Sequence, residues 1–260
     1  MARCLDAFRE EHSAVIRGDG HPGRSLPRYS SRMSEFLIPL AGFVDASRVN
    51  GPGLRTALWV QGCSLSPACP GCFNPGLIPE EGEGERVTPE ALAARILRVA
   101  TRRPVDGITF SGGEPTDHGG ALARVAQIVR SSGLSIMAYS GRERAALEAS
   151  GAPEGWAALL AELDILVDGR FVASRRTGDG RGSSNQQRWG LTDRGRTELR
   201  GWRPDVAAEF FIDGHGGVRG TGFPLGGASG GLFGGGGQGE VGQPTDAGPA
   251  RPVVKGGRSE

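Results

Sequence analysis

Apolar residues recur through the middle of the chain in short blocks, and the spacing inside each block predicts its structure. Leu58-Trp59-Val60 is a compact apolar run of strand type. Thr88-Pro89-Glu90 then gives a helix start, with Thr as N-cap and Pro at the first helical position. Leu92, Ile96, Leu97 and Ala100 follow at helical spacing. Gly107 to Phe110 reads as a second strand, ending in Ser111-Gly112-Gly113-Glu114-Pro115. Leu122, Val125, Ile128 and Val129 predict a second helix, and Leu134 to Tyr139 a third strand that ends in Ser140-Gly141. Helical segments around Arg142 to Ala149 and Trp156 to Leu163 lead to the strand Ile165-Leu166-Val167. Strands alternating with helices of this length predict an α/β fold, a parallel sheet with crossover helices. Chemistry is then expected at the strand ends.

The pattern fades toward both ends. Residues 1–34 are charged and turn-rich without a sustained period, so a flexible N-terminal tail is expected, with translation starting at Met33. Gly180 to Arg188 reads as an ordered loop or flap. Phe210-Phe211-Ile212 and Val218 to Phe223, separated by Asp213-Gly214-His215-Gly216-Gly217, predict a terminal hairpin. Glycine supplies 45 of the 260 residues and proline 17, and 13 of the glycines fall between Pro224 and Glu260. Such a segment cannot bury enough apolar surface to order itself, so the folded unit is expected over 35–224 and a disordered Gly-rich tail over 225–260.

Charge narrows the function classes. Thirty basic residues, all arginine except Lys255, balance 29 acidic ones to a net charge of +1. That balance lacks the footprint of a protein that grips nucleic acid or an anionic membrane through bulk charge. There is no apolar run of about 18 residues for a membrane span, and residues 1–33 lack the apolar stretch of a secretory signal. A reducing cytoplasm is the expected compartment.

Four cysteines are too few for a disulfide scaffold, and three of them are clustered: Cys63-x5-Cys69-x2-Cys72, on a loop that follows a strand. A structural zinc site closes its tetrahedron with four protein ligands, and most iron-sulfur clusters use four cysteines. Three thiolates leave one metal position open to an exogenous ligand. Alternatively, His118, His215 or Cys4 completes a zinc site, although both histidines read more readily as structural or exposed.

The residues around these cysteines carry a resemblance. Val49-Asn50-Gly51-Pro52-Gly53-Leu54-Arg55, Trp59-Val60-Gln61-Gly62-Cys63 and Cys69-Pro70-Gly71-Cys72-Phe73-Asn74-Pro75 resemble the cluster-binding region of radical S-adenosylmethionine enzymes. Within these they are most similar to the activating enzymes of anaerobic ribonucleotide reductase. Ser111 to Pro115, Tyr139-Ser140-Gly141, Asp164 to Phe171 and Arg181 to Gln186 continue the resemblance in order. One departure is the first cysteine gap, Ser64 to Ala68, since the family usually places three residues there. Two extra residues add up to about 7 Å of contour, which gives slack without preventing Cys63 from reaching an iron.

The resemblance implies an incomplete TIM-barrel-like parallel sheet and a 4Fe-4S cluster on Cys63, Cys69 and Cys72. The open iron of that cluster would be chelated by S-adenosylmethionine, whose carbon-sulfur bond is then cleaved reductively to a 5'-deoxyadenosyl radical. It implies cofactor contacts from Gly71, Phe73, Asn74, Gly112, Gly113, Glu114 and Ser140, with no side chain assigned as a catalytic acid or base. Each has a plainer reading: a tight turn for Gly112-Gly113 and for Ser140-Gly141, a first-turn acid for Glu114, a loop cap for Asn74. A bulky residue at Gly113 is expected to fill the methionine space and spare the cluster. Arg181, Ser183, Ser184, Asn185 and Gln186 form either a partner-facing flap or a solvated loop. The implied partners are a glycyl-radical enzyme resembling anaerobic ribonucleotide reductase, as protein substrate, and an electron donor such as flavodoxin or ferredoxin. The alternatives are a radical enzyme with another peptide or small-molecule substrate and a non-catalytic zinc-binding interaction module.

Overall fold

The computed structural model describes residues 37–204, 207–212 and 218–223. The expectations for residues 1–34 and 225–260, and for Cys4 and His215, lie outside the described residues. Seven strands form one sheet in the order β3-β1-β2-β4-β5-β6-β7. At its centre β2 (Arg55–Val60), β4 (Gly107–Gly112), β5 (Ser135–Ser140) and β6 (Ile165–Asp168) run parallel. The crossovers contain α1 (Pro89–Arg102), α2 (Gly119–Arg130), and the pair α3 (Arg144–Leu147) and α4 (Glu154–Glu162). This is the expected α/β arrangement.

The sheet margins were not expected. β1 (Ile38–Ser47) pairs antiparallel with β2, β3 (Glu85–Val87) with β1, and β7 (Gln187–Gly190) with β6. β7 takes the last residues of the predicted flap, and its half-exposed edge position gives it no apolar signature. α5 (Asp193–Gly201) also escapes the hydrophobic pattern, because Gly195 is the residue it buries. A Cβ on Gly195 would stand 1.9 Å from the Asp164 carbonyl oxygen, so this helix seats backbone against backbone. Thr192 caps it by accepting from the Gly195 amide at 3.1 Å. The predicted hairpin is present as β8 (Ala208–Ile212) and β9 (Val218–Gly222).

Alternation along the central strands sorts side chains onto two faces. Leu58, Val60, Ile108, Phe110, Ile136, Ala138 and Leu166 pack with Leu92, Ile96, Leu122, Val125 and Val129 of the helices. The Thr88 hydroxyl accepts from the Ala91 amide at 3.2 Å and opens α1 as its sequence predicts. On the opposite face Met137, Ile165 and Val167 pack with Trp202, and Ala57 and Trp59 with Leu77.

That second face also holds Arg55, whose side chain is fully buried. Its Nε donates to Thr109 Oγ1 at 2.8 Å. One terminal nitrogen donates to Ser135 Oγ at 2.8 Å and the Pro52 carbonyl at 3.3 Å, and the other to the carbonyls of Ile108 at 2.7 Å and Ser135 at 3.0 Å. All five donors are thus occupied, and Glu198 supplies a countercharge at 3.7 Å. Burial pushes the guanidinium down to about 10, with Glu198 opposing, so it stays charged at neutral pH. Gly51, at φ +133°, leaves the space: a Cβ there would lie 2.6 Å from Arg55 Cδ and 2.7 Å from Met137 Sδ. Replacing Arg55 with Met is expected to strand these acceptors and Glu198, and to cost on the order of 3–5 kcal/mol in denaturant titrations of the metal-free chain. A loss well under 1 kcal/mol would contradict this reading.

Candidate active site

The parallel strands deliver their C-terminal ends to one cleft. It is lined by Cys63, Cys69 and Cys72, by Gly112, Gly113 and Glu114 after β4, and by Ser140 and Gly141 after β5. Its volume, counted out to the open mouth, is about 720 Å³. Phe73, Phe171, Tyr139 and Phe223 form an aromatic wall, with Phe73 centred 4.6 Å from Phe171 and 5.3 Å from Phe223.

The cysteine loop is hung on the sheet through its main chain. Gly113 N–H donates to the Val60 carbonyl at 2.8 Å, Glu114 N–H to Gly62 at 2.8 Å, and Gly62 N–H to Leu77 at 3.0 Å. Cys63 N–H donates to the Ile78 carbonyl, also at 3.0 Å. Buried Gln61 ties down the returning segment by donating to the carbonyls of Gly76 and Pro79, at 3.0 and 2.7 Å. His118 Nε2 lies 2.9 Å from the Gln61 carbonyl oxygen, a structural contact away from the cleft lining.

The glycine pair is explained by this contact. A Cβ on Gly113 would stand 1.9 Å from the Gly62 carbonyl oxygen and 2.7 Å from that of Leu77. At Gly112, with φ +119°, it would stand 2.3 Å from the Val60 backbone. The expectation for a bulky Gly113 residue therefore needs correction: its side chain would strike the backbone leading into Cys63 before reaching a ligand.

Glu114 has fractional exposure of 1%. Its Oε1 accepts from the Thr116 amide at 3.1 Å, the Thr116 hydroxyl at 2.7 Å and the Ser140 hydroxyl at 2.9 Å. Its Oε2 accepts from Gly141 N–H at 2.8 Å. Burial raises its carboxyl above the usual range, and these four donors pull the other way. The carboxylate thus joins two strand ends. Asn74 bridges as well, donating to the Gly112 carbonyl at 3.2 Å. Of the residues given cofactor contacts by resemblance, Phe73, Asn74, Gly112, Gly113, Glu114 and Ser140 line the cleft, whereas Gly71 lies outside its lining, in a turn against Ala173.

The three cysteines are free thiols. Burial pushes Cys63 and Cys72 above the ordinary thiol range, while amide hydrogen bonds from Leu65 and Asn74 oppose it. The Asn74 N–H points at Cys72 Sγ from 3.4 Å. Such N–H···S contacts suit a sulfur that carries negative charge, as a cluster ligand does. Among the described residues no three His, Cys, Asp or Glu side chains gather as a site for a single ion. Three free thiols on one short loop lining a single cleft are a donor set that fits a 4Fe-4S cluster with one iron left to an exogenous ligand.

The segment between β6 and β7 is self-bonded. Gln186 donates to the Gly169 carbonyl at 2.8 Å and accepts from Ser183 N–H at 3.0 Å, and Gly182 and Gln186 reach the cleft wall. Tyr139 donates its hydroxyl to the Gly180 carbonyl at 2.7 Å. Burial works against the Asp179 carboxylate, yet hydrogen bonds from Arg181 and Thr177 and the charge of Arg188 hold it well below the usual range.

Three free thiols gathered in one cleft at the ends of parallel strands point to an iron-sulfur class of protein. The family described as 4Fe-4S single cluster domain matches residues 49–189, over half of the 260, and the chain belongs to it. A Vibrio cholerae anaerobic ribonucleoside-triphosphate reductase-activating protein is 34% identical over 146 residues, covering 53% of this chain and 88% of that one. A Haemophilus influenzae protein named as a glycyl-radical enzyme activating enzyme is 35% identical over 104 residues, covering 40% of this chain and 38% of its own. The pyruvate formate-lyase-activating enzyme of Clostridium pasteurianum is 43% identical over 68 residues, covering 25% and 27%. The chain thus spans little more than a third of the Haemophilus relative but most of the Vibrio one. Among the described residues no helix is long and apolar enough to cross a membrane.

Gly113→Ala is expected to lower the melting temperature of the metal-free chain and its iron content after anaerobic reconstitution. A wild-type melting temperature with full iron would refute the backbone contact assigned to Gly113.

Proposed function

We propose that the chain is a radical S-adenosylmethionine activase that generates a glycyl radical on a partner enzyme of the anaerobic ribonucleotide reductase type. The observation that carries this reading is the shared cleft of Cys63, Cys69 and Cys72 with the Gly112-Gly113 strand end, and no fourth cysteine lines it among the described residues. Cys63, Cys69 and Cys72 would hold a 4Fe-4S cluster, which when bound would supply the electron for reductive cleavage of S-adenosylmethionine.

The chain's own part is to hold, shape and exclude. Cys63, Cys69 and Cys72 hold the cluster. The half-buried main chain at Gly112 and Gly113 lines the cleft without side chains and so leaves room for the methionine end of the cosubstrate, with Ser140 and Glu114 fixing that wall from behind. Asn74 spans the cysteine loop and the Gly112 carbonyl, which supports a fixed distance between cluster and cosubstrate. Phe73, Tyr139, Phe171 and Phe223 keep water from the remaining side, where a partner's glycine would enter. The Arg181 to Gln186 loop, bonded to itself and forming part of the cleft wall, faces that partner. The electron comes from a small donor protein such as flavodoxin or ferredoxin.

The test is anaerobic turnover of the reconstituted full chain with dithionite. S-adenosylmethionine should be converted to 5'-deoxyadenosine and methionine, slowly alone, and with the cognate reductase a stable organic radical should form on the partner's glycine. A reduced, fully loaded chain that releases no 5'-deoxyadenosine would refute the enzyme reading. Deoxyadenosine without a glycyl radical would transfer the chemistry to another substrate.

A further inference from the structure

The five residues between Cys63 and Cys69 are docked at three places, and two arginines do much of the docking. Ser64 donates its amide to Asp117 Oδ2 at 2.7 Å and its hydroxyl to Asp117 Oδ1 at 2.7 Å. Arg142, two residues beyond the end of β5, donates to Ser64 Oγ and to Asp117 Oδ1, each at 2.7 Å. The side chain of Leu65 fills the space that a Cβ on Gly141 would need, 2.3 Å from its Cδ1. Arg170, which follows β6, donates to the Pro67 carbonyl.

Arg142 is held in turn. Its guanidinium lies 4.2 Å above the Trp156 ring, and its Nε donates to Thr116 Oγ1 at 3.0 Å. The Thr116 hydroxyl donates to Glu114 Oε1, and Ser140 donates to the same carboxylate oxygen. The Arg142 amide donates to Ser140 Oγ at 3.0 Å. Each hydroxyl in this chain gives one proton and receives one, so the direction of every bond is fixed. The Arg142 and Asp117 side chains are 15% and 18% exposed, largely shielded from solvent.

We propose that Arg142 and Asp117, with Arg170 at the far side, are positioning residues that lock the Ser64–Ala68 segment onto the ends of β4, β5 and β6. They thereby fix Cys63 against the Gly112-Gly113 wall. This rests on the cluster reading above. Cys63 directly precedes Ser64, so pinning the Ser64 amide and hydroxyl sets the place of the first thiolate. The same network ends on Glu114 and Ser140, so cluster loop and cosubstrate wall are one hydrogen-bonded unit. The Cys63 amide is already held by the Ile78 carbonyl, so without these contacts it is Ser64 to Ala68, the gap between Cys63 and Cys69, that would be left untethered.

The test compares the full-length wild type with Asp117→Ala, Arg142→Met, Arg142→Lys and Ser64→Ala, all reconstituted anaerobically. Iron release to a ferrous chelator is timed, and the electron paramagnetic resonance spectrum of the reduced cluster is recorded before and after adding S-adenosylmethionine. Asp117→Ala and Arg142→Met should release iron roughly 10-fold faster or more, the scale of lost outer-shell partners. Their spectral response to S-adenosylmethionine should also shrink. Arg142→Lys, which keeps the charge without the planar fork, should fall between them and wild type. Ser64 is exposed, so Ser64→Ala tests the contact without threatening the fold, and it should accelerate release in the same direction. Wild-type release and spectra in Asp117→Ala and Ser64→Ala would overturn the proposal and leave the cluster reading intact. A wild-type chain with no iron-sulfur signal would overturn both.

Discussion

Two backbones that meet without room for a Cβ set the geometry of this protein. The main chain of Gly113, at the end of β4, lies against the carbonyls of Gly62 and Leu77. The loop bearing the cysteines is therefore attached directly to the sheet through peptide hydrogen bonds. Side-chain packing alone would let such a loop slide, whereas amide–carbonyl bonds from both neighbouring residues fix its height above the strands. The Glu114 carboxylate and the Asn74 amide add lateral ties to β5 and to β4. A cluster held on this loop inherits the position of the strand ends.

The two faces of the sheet divide the remaining work. The helix-covered face is apolar and supplies burial. The other face is polar at its lower end, where Arg55 uses all five donors, and opens into the cleft at its upper end. A buried guanidinium is a poor source of stability compared with a well-packed apolar residue. Its value here is geometric: it binds the Pro52 turn, the backbone of β4 and β5, and Glu198 of α5 into one frame. Asn50 extends that frame to the terminal hairpin, donating to Thr221 Oγ1 at 2.9 Å. Phe223, at the end of the hairpin, reaches the aromatic wall.

The central strands and the helices α1, α2 and α4 were legible because each presents an apolar period, and the N-cap Thr88 marked its helix start to the residue. β1, β3, β7 and α5 were not: β3 and β7 are exposed edge strands, β1 runs from three buried residues into a half-buried stretch without clean alternation, and α5 is seated by a glycine. The apolar run Leu58 to Val60 marks only the second half of β2, because the strand opens with Arg55 and Thr56, polar side chains buried among partners on other strands. The three thiolates and the glycine pair stood out in the sequence. The close approach that requires Gly113, and the roles of Arg142, Asp117 and Gln61, depend on segments remote along the chain. An arginine in a charge-rich stretch such as Gly141 to Arg144 carries no mark that distinguishes a clamp from a solvated side chain.

Mössbauer spectroscopy of the chain reconstituted with iron-57 tests most directly whether three thiolates hold a cluster with one iron open to the cleft. The anaerobic protein should show a 4Fe-4S signature in which one iron of the four changes its isomer shift when S-adenosylmethionine is added, while the other three keep thiolate-like parameters. Four irons that do not respond, or a chain that takes up zinc and excludes iron, would contradict it.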